Sequence, residues 1–391
     1  MNKFRFHFLG MCHTKTSPEW CHCAYTAKVY KAIKMFGRRG HTCIDYSNEG
    51  AEVDCEHVDI FSEAERASYF GPHDKQKLYN ILWDPSQPYW QEYNRRLVKE
   101  LRPRVKKGDF LMTLSGGCQV GPVGEAFPGS FSGTQYTAAM VEWGIGYRGA
   151  CQREAGPWQS RYRVFESHSH REWVMGASNQ EWEDNDSAVV NNFFDVDEFP
   201  EKPPISERVA KAIDGKPYYL FIGRVIWGKG IDIAVEVCKT LGARLIVAGQ
   251  GDFTPPDESV VFFGHANVQE RAALMTNAIA GLNPTRFREP FGGTAVEFQL
   301  CGTPAITTDQ GAFCETVERP WRCASHWEFV RAAERAMNLT VSARKGIRAR
   351  AVDNWSLDTI VLQYERYFQR ILNYWGSGWY QETPYVMPEE T

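Results

Sequence analysis

The sequence contains no apolar run near the ~18 uninterrupted residues of a membrane span, so no integral membrane segment is expected. It has no internal repeat and no low-complexity tract, which argues against solenoids and long disordered arms. Cysteine is present, 11 in all, but without a recurring spacing. An odd count in a long chain does not read as a disulfide framework. Reduced thiols and a cytoplasmic location are the expectation. Charge of one sign is also missing. Lys and Arg number 44 against 48 Asp and Glu, a formal net charge of −4, which argues against a nucleic-acid-binding surface spread over the whole molecule. The short basic run Arg102 to Lys107 is interrupted by apolar residues and reads as a solvated helix end. A metal set of workable spacing is absent too. Cys12-His13 and Cys21-His22-Cys23 send neighbouring side chains in divergent directions, whereas a closed zinc site needs four converging ligands. No metal is expected.

What is present points to an α/β protein. The 391 residues allow two domains of about 100–200 residues, each with its own core. The first residues, Phe4 to Gly10, are broken by Arg5 and His7 and read as a buried strand rather than a signal peptide. Tyr25, Val29, Ile33 and Phe36 recur at helical spacing between Cys23 and Arg39. Gly37 and Gly40 close that helix, and His41 to Tyr46 reads as the next strand. Trp90 to Leu101 is predicted helical, Asp109 to Leu114 a strand, and the rest of Glu63 to Arg104 gives no clear pattern. Glu201-Lys202-Pro203-Pro204 interrupts the pattern and marks a hinge. Strands are predicted after it at Tyr218–Ile222, Arg244–Ala248, Val260–Phe263, Ile279–Asn283 and Pro304–Thr307. They alternate with helices at Ile231–Leu241, Arg271–Ala278 and Thr294–Cys301. Such alternation predicts two doubly wound, Rossmann-like domains facing across a cleft, with ligands at the carboxyl ends of parallel strands. Leu357 to Tyr374 is a long amphipathic helix, and the tail from Gly376 to Thr391 is expected to pack irregularly on the body.

Two stretches carry chemistry. In Arg288-Glu289-Pro290-Phe291-Gly292-Gly293-Thr294-Ala295-Val296-Glu297 a glycine turn opens a helix. The free N–H groups of Gly292, Gly293 and Thr294 suit a phosphate there, because the helix dipole favours an anion. Glu297, one turn further on, can accept from ribose hydroxyls, and Glu289 can reach the hydroxyls of a sugar. In Phe221-Ile222-Gly223-Arg224-Val225-Ile226-Trp227-Gly228-Lys229-Gly230 the chain leaves a strand through Gly223. Arg224 and Lys229 can converge on a diphosphate, one as a planar fork and the other as a point charge. Cations at a helix start are poorly placed unless an anion sits between them.

These stretches resemble the retaining glycosyltransferases of family 4, which have the GT-B fold. In that family an Arg and a Lys after the first strand of the second domain hold the diphosphate, as Arg224 and Lys229 would. The family's two glutamates, separated by seven residues and including Glu-Pro-Phe-Gly, match Glu289 and Glu297. Ala248-Gly249-Gln250-Gly251 and Phe263-Gly264-His265 resemble the stretches that line the nucleotide. Gly302 to Thr308, with Gly311 and Glu315, resembles the family's next strand and loop. Val189 to Asp195 with Phe199 resembles the entry to the interdomain linker, so Asp195-Val196-Asp197 is read as a linker turn and not a metal-binding pair. The resemblance is specific from about Val189 to Trp355 and weak before it. It implies three regions: 1–201 for the acceptor, 202–355 for the nucleotide sugar, and 356–391 crossing back onto the first. Departures lie in the first half. The usual Gly-Gly pair near the donor phosphates is replaced by Ser17 to Ala24, with His22 and Tyr25 as candidate substitutes. Glu142 stands where the family often has a cleft histidine, and Glu166 and His168 are further acceptor-side candidates.

The function expected from this resemblance is retaining, metal-independent transfer of a sugar from a nucleoside-diphosphate sugar to a hydroxyl of a glycan, lipid or small molecule. No cofactor is expected beyond the donor itself. Arg224, Lys229 and Glu289 would carry the chemistry. Gly223, Gly249, Gly251, Phe263, Phe291, Gly292, Gly293, Thr294 and Glu297 would hold the donor. Three readings stay open beside it: an epimerase or phosphorylase on the same fold, a non-catalytic sugar-nucleotide-binding module, and a transferase acting on modified DNA bases. The net charge argues against the last.

Overall fold

The computed structural model describes residues 2–74, 81–127, 138–144, 160–177 and 186–373. The tail from Gly376, Tyr374 and the stretch Ile145 to Tyr147 lie outside the described residues. The first half of the chain forms a parallel sheet of β1 (Arg5–Leu9), β2 (Thr42–Ser47), β3 (Glu56–Asp59), β4 (Asp109–Thr113), β5 (Ala138–Glu142), β6 (Tyr162–Phe165) and β7 (Ser187–Val189). Their order is β3-β2-β1-β4-β5-β6-β7. The helices between them are α1 (Ala24–Arg38), α2 (Glu63–Phe70), α3 (Pro88–Leu101), α4 (Gly117–Ala126) and α5 (His168–Ala177). Alternation along the strands explains why both faces need helices. In β1, Phe6 and Phe8 join the core under α1, while Leu9 packs with Ile44 and Leu111 under α3.

The second half repeats the plan. After α6 (Glu207–Ile213) come β8 (Tyr219–Ile222), α7 (Ile231–Leu241), β9 (Leu245–Ala248), β10 (Val260–Gly264) and α8 (Val268–Asn277). Next are β11 (Gly281–Asn283), α9 (Gly293–Leu300), β12 (Ala305–Thr308), α10 (Phe313–Thr316), β13 (Arg322–Cys323), α11 (His326–Met337) and α12 (Val341–Trp355). The parallel order is β10-β9-β8-β11-β12-β13. It reverses between β8 and β11, so the loops after these strands diverge and leave a crevice at their carboxyl ends. The expectation of two doubly wound sheets holds. Two first-half elements were not read from sequence. β3 is an edge strand with one buried apolar residue, Val58, held by its backbone ladder to β2. α2 is short, and its start is fixed by a capping box in which Ser62 and Glu65 bond reciprocally.

The chain crosses between the sheets twice, and the crossings are tied together. Phe194 N–H donates to Trp355 O at 2.9 Å, and Leu357 N–H to Phe194 O at 3.0 Å. α13 (Leu357–Asn373) then lies on the first sheet, where Ile360, Tyr364, Phe368 and Ile371 join the cluster of Phe4, Phe6 and Phe36. Side chains of α1 hold the linker. Lys34 pairs with Asp195, Lys31 with Glu198 at 3.2 Å and Arg38 with Asp197 at 3.1 Å. Asp195 also caps the short turn Val196–Glu198.

Glu365 fixes α13 to the end of α1. Its buried carboxylate accepts from Arg39 twice at 3.0 Å and meets His41 Nε2 at 2.9 Å. Burial alone would raise its pKa, but the hydrogen bonds from Arg39 and His41 outweigh burial and hold it below the ordinary carboxylate value. A lowered carboxyl pKa stabilises the fold above the unfolded pKa and stops doing so as pH falls through the folded value. We therefore expect Glu365→Ala to cost about 2 kcal/mol at neutral pH, less than a fully buried pair because Arg39 is partly exposed. Urea denaturation should show that deficit shrink as the pH is lowered through the carboxylate range.

Candidate functional site

The crevice in the second domain is shaped by glycines. Gly223 and Gly249 follow β8 and β9 with φ of +149° and +146°. Gly223 N–H donates to Ala248 O at 3.0 Å and Gly249 N–H to Gly264 O at 2.8 Å. The turns lie so close that a Cβ on Gly249 would collide with the Gly223 carbonyl oxygen. This flattens one wall of a cleft lined by Gly223, Arg224, Gly249, Gln250, His265 and Arg271. Pro18, Glu19, Cys21 and His22 of the first domain form the facing wall. Arg224 is exposed there, with no ion pair or side-chain hydrogen bond among the described residues.

A second cavity adjoins it, sharing Ile222. Lys229, Thr285, Glu289, Gly292, Gly293 and Thr294 line it. Lys229 Nζ donates to Glu289 Oε1, and Thr285 Oγ1 to the same oxygen at 3.2 Å. Gly292 takes φ +82° as the residue before α9, and no side chain caps this helix start. Its N–H groups face a cavity that already contains a fixed ammonium, so the local field favours an anion. Glu297, further along α9, is buried and lies 3.2 Å from Arg271 Nη2. Of the expected donor residues, Gly223, Gly249, Gly292, Gly293 and Thr294 line one cavity or the other. Phe263, Phe291, Gly251 and Glu297 line neither. Phe263 and Phe291 are buried in the core, with Arg208 stacked 3.8 Å from the Phe263 ring and Phe194 against Phe291. Gly251, at φ +117°, packs on Val225.

The acceptor-side candidates separate. His22 lines the cleft, its ring 5.8 Å from and perpendicular to that of His265 across the two domains. The neighbouring Tyr25 and Cys23 feel the Arg224 charge. Glu142 is buried at the end of β5 and lines neither cavity. Glu166 is buried and bonded at 3.0 Å to Lys28, which also donates to Trp143 O. Burial raises the Glu166 carboxyl pKa and the Lys28 ammonium opposes that, while Glu289 adds to the rise. His168 is exposed, but its backbone N–H and that of Ser169 donate to Glu315 of the second domain at 2.9 and 2.7 Å. Ser167 Oγ donates to Pro290 O, next to Glu289. Glu166 and His168 thus stand at the interdomain seam. Among the described residues no three His, Cys, Asp or Glu side chains are grouped as metal ligands would be. His13 Nε2 meets Cys23 Sγ at 3.7 Å, and burial pushes the His13 pKa down to about 3.

The model of the family described as glycosyl transferases group 1 matches residues 216–338. An uncharacterized glycosyltransferase of Methanocaldococcus jannaschii is 29% identical over 119 residues, covering 27% of this chain and 30% of that protein. The matched segment thus spans about a third of that relative's length. Over the whole chain the likeness is one of fold. The catalytic domain of starch synthase IV from Arabidopsis thaliana, bound to ADP and acarbose, superposes with a TM-score of 0.71 at 12% identity, covering 95% of this chain and all of that one. Anabaena HepE in complex with UDP-glucose gives 0.62 at 13% identity over 94% and 99%. The two-sheet architecture is therefore the GT-B fold of glycosyltransferases.

Arg271 was not singled out from sequence, although an Arg before the buried run Ala272, Ala273, Leu274 and Met275 was a visible signal. Nor was the buried Lys28, hidden among the apolar positions of α1. With both side chains of the Lys28–Glu166 pair 1% exposed, removing one partner strands the other. Lys28→Met is expected to destabilise the fold by about 3–5 kcal/mol, with most of the loss recovered in Lys28→Met/Glu166→Leu. Chemical denaturation of the three proteins checks this. A double variant no more stable than Lys28→Met would contradict it.

Proposed function

We propose that this protein is a glycosyltransferase that moves a sugar from a nucleoside-diphosphate sugar to a hydroxyl acceptor, with retention of configuration and without a metal ion. The observation that carries the reading is the meeting of Lys229, Glu289 and the uncapped start of α9 in one cavity, with Arg224 in the adjoining cleft. The group 1 family match and the nucleotides bound by the fold's neighbours support it.

The chemistry follows from charge. When the bond between sugar and diphosphate breaks, the electron pair stays on the diphosphate and its negative charge grows. Lys229, Arg224 and the N–H groups of Gly293 and Thr294 are fixed positive ends aimed at that region. Such groups lower the barrier because they need no reorganisation as charge develops. Glu289 accepts from the hydroxyls of the transferred sugar, and Glu297 serves the ribose. The acceptor oxygen forms the new bond and gives up its proton. No side chain is assigned as a covalent nucleophile. Contacts of Glu315 and Pro290 with the first domain close the seam and limit water, which would otherwise hydrolyse the donor.

The test is an NMR time course with candidate nucleotide sugars and hydroxyl acceptors. A product with the donor's anomeric configuration supports retention, and an inverted product overturns it. Lys229→Ala and Glu289→Ala should each lower kcat by about 100- to 1,000-fold while the folded population is kept. Unchanged turnover in both variants would remove the site from the chemistry. Interconversion of donor alone, without transfer, would favour an epimerase.

A further inference from the structure

Arg271 has no role in the chemistry described above, and its position is costly. It lies in the first turn of α8, immediately after the capping box formed by Asn267 and Glu270. A cation at the positive end of a helix is electrostatically disfavoured. Its side chain is only 17% exposed, and the residues that follow it are core. One guanidinium nitrogen, Nη2, meets Glu297 at 3.2 Å. Nε is buried without a hydrogen-bond partner. Burial works against the charge, but Glu297 and Glu198 outweigh it and keep the group protonated. A buried donor left unmatched costs on the order of 1–3 kcal/mol, so helix stability does not explain this arginine.

Its location limits what it can meet. Arg271 lines the cleft with Gly249, Gln250, His265 and Asn267, and it does not line the cavity of Lys229 and Gly292–Thr294. A diphosphate held in the latter leaves the adjoining cleft, which Arg271 lines, for the nucleoside. Glu297, an acceptor, suits the ribose hydroxyls. The guanidinium beyond it has donors only. It therefore favours a base edge that presents acceptors and opposes one that presents an amino group at the same point.

We infer that Arg271 reads the donor base and selects one carrying a ring carbonyl, as in uracil, thymine or guanine, over adenine. This rests on the glycosyltransferase reading above. Neighbours of the same fold hold ADP in one case and UDP-glucose in another, so the fold does not fix the base and side chains must.

The test is calorimetric titration of the full chain with UDP, dTDP, GDP and ADP. At least one carbonyl-bearing nucleotide should bind about 10-fold or more tightly than ADP. Arg271→Gln should lose about 10- to 100-fold for that nucleotide and change ADP by no more than about 3-fold. Preference for ADP, or an equal loss for all four in the variant, overturns the inference, the latter marking Arg271 as a prop for Glu297. Thermal denaturation precedes the titrations. If Arg271→Gln does not fold, Arg271→Lys and the wild-type preference decide. If the wild type binds none of the four, the donor reading itself fails. If it binds all four alike, only the role of Arg271 does.

Discussion

The ion pair of Lys229 and Glu289 joins two loops 60 residues apart in the chain. One loop leaves β8 and the other follows β11, the strands between which the second sheet reverses its order. The geometry of a doubly wound sheet opens a crevice at that point, and the pair determines what fills it. Lys229 is held toward the start of α9 rather than out to solvent. Glu289 is held by Thr285 as well as by the ammonium. Its backbone is fixed too, because Ala312 N–H donates to Glu289 O at 3.0 Å. A loop so constrained presents its carboxylate with little freedom left to lose, which is the condition for preorganised electrostatic work.

The rest of the structure brings the first domain to that loop. Lys28 and Glu166 bury opposite charges beneath the seam, and Ser167 next door reaches Pro290. α1 contributes at both ends. Its start faces Arg224, while its later turns send Lys31, Lys34 and Arg38 to the linker acids. One helix thus touches both the cleft and the segment about which the domains would turn. Return of the chain through Ser356 and α13 closes a second strand of the same connection, so relative motion must bend two tied segments together.

How much of this was legible varies with the physical source of the signal. The second sheet was readable because its strands are short apolar runs punctuated by glycine, and the helix α7 between the first two carries a clear 3.6-residue period. The turn before α9 was readable because its shape depends on local backbone geometry that only particular residues allow, such as Gly292 at positive φ. β3 was not, because an edge strand needs no apolar face to pair. Phe263 and Phe291 were assigned to the nucleotide because they adjoin its motifs, yet burial in the core explains them. Lys28 and Arg271 went unread for a shared reason. Each is a charge inside an apolar pattern, and its partner, Glu166 or Glu297, comes from a distant segment that only the fold brings near.

The cations of the cleft follow one rule. Arg224, Lys229 and Arg271 all precede or open a helix, where local electrostatics disfavours positive charge. Consistent sequences avoid such conflicts except where a site requires them. Two of the three are matched, and the match is systematic: Lys229 with Glu289 and Arg271 with Glu297. The seven residues between the glutamates set one before α9 and the other inside it, so each meets a cation from a different segment. Arg224 has no such partner and faces the cleft exposed. The charge the protein leaves uncompensated is therefore concentrated at the junction of the two cavities, where a diphosphate spanning them would bring its own.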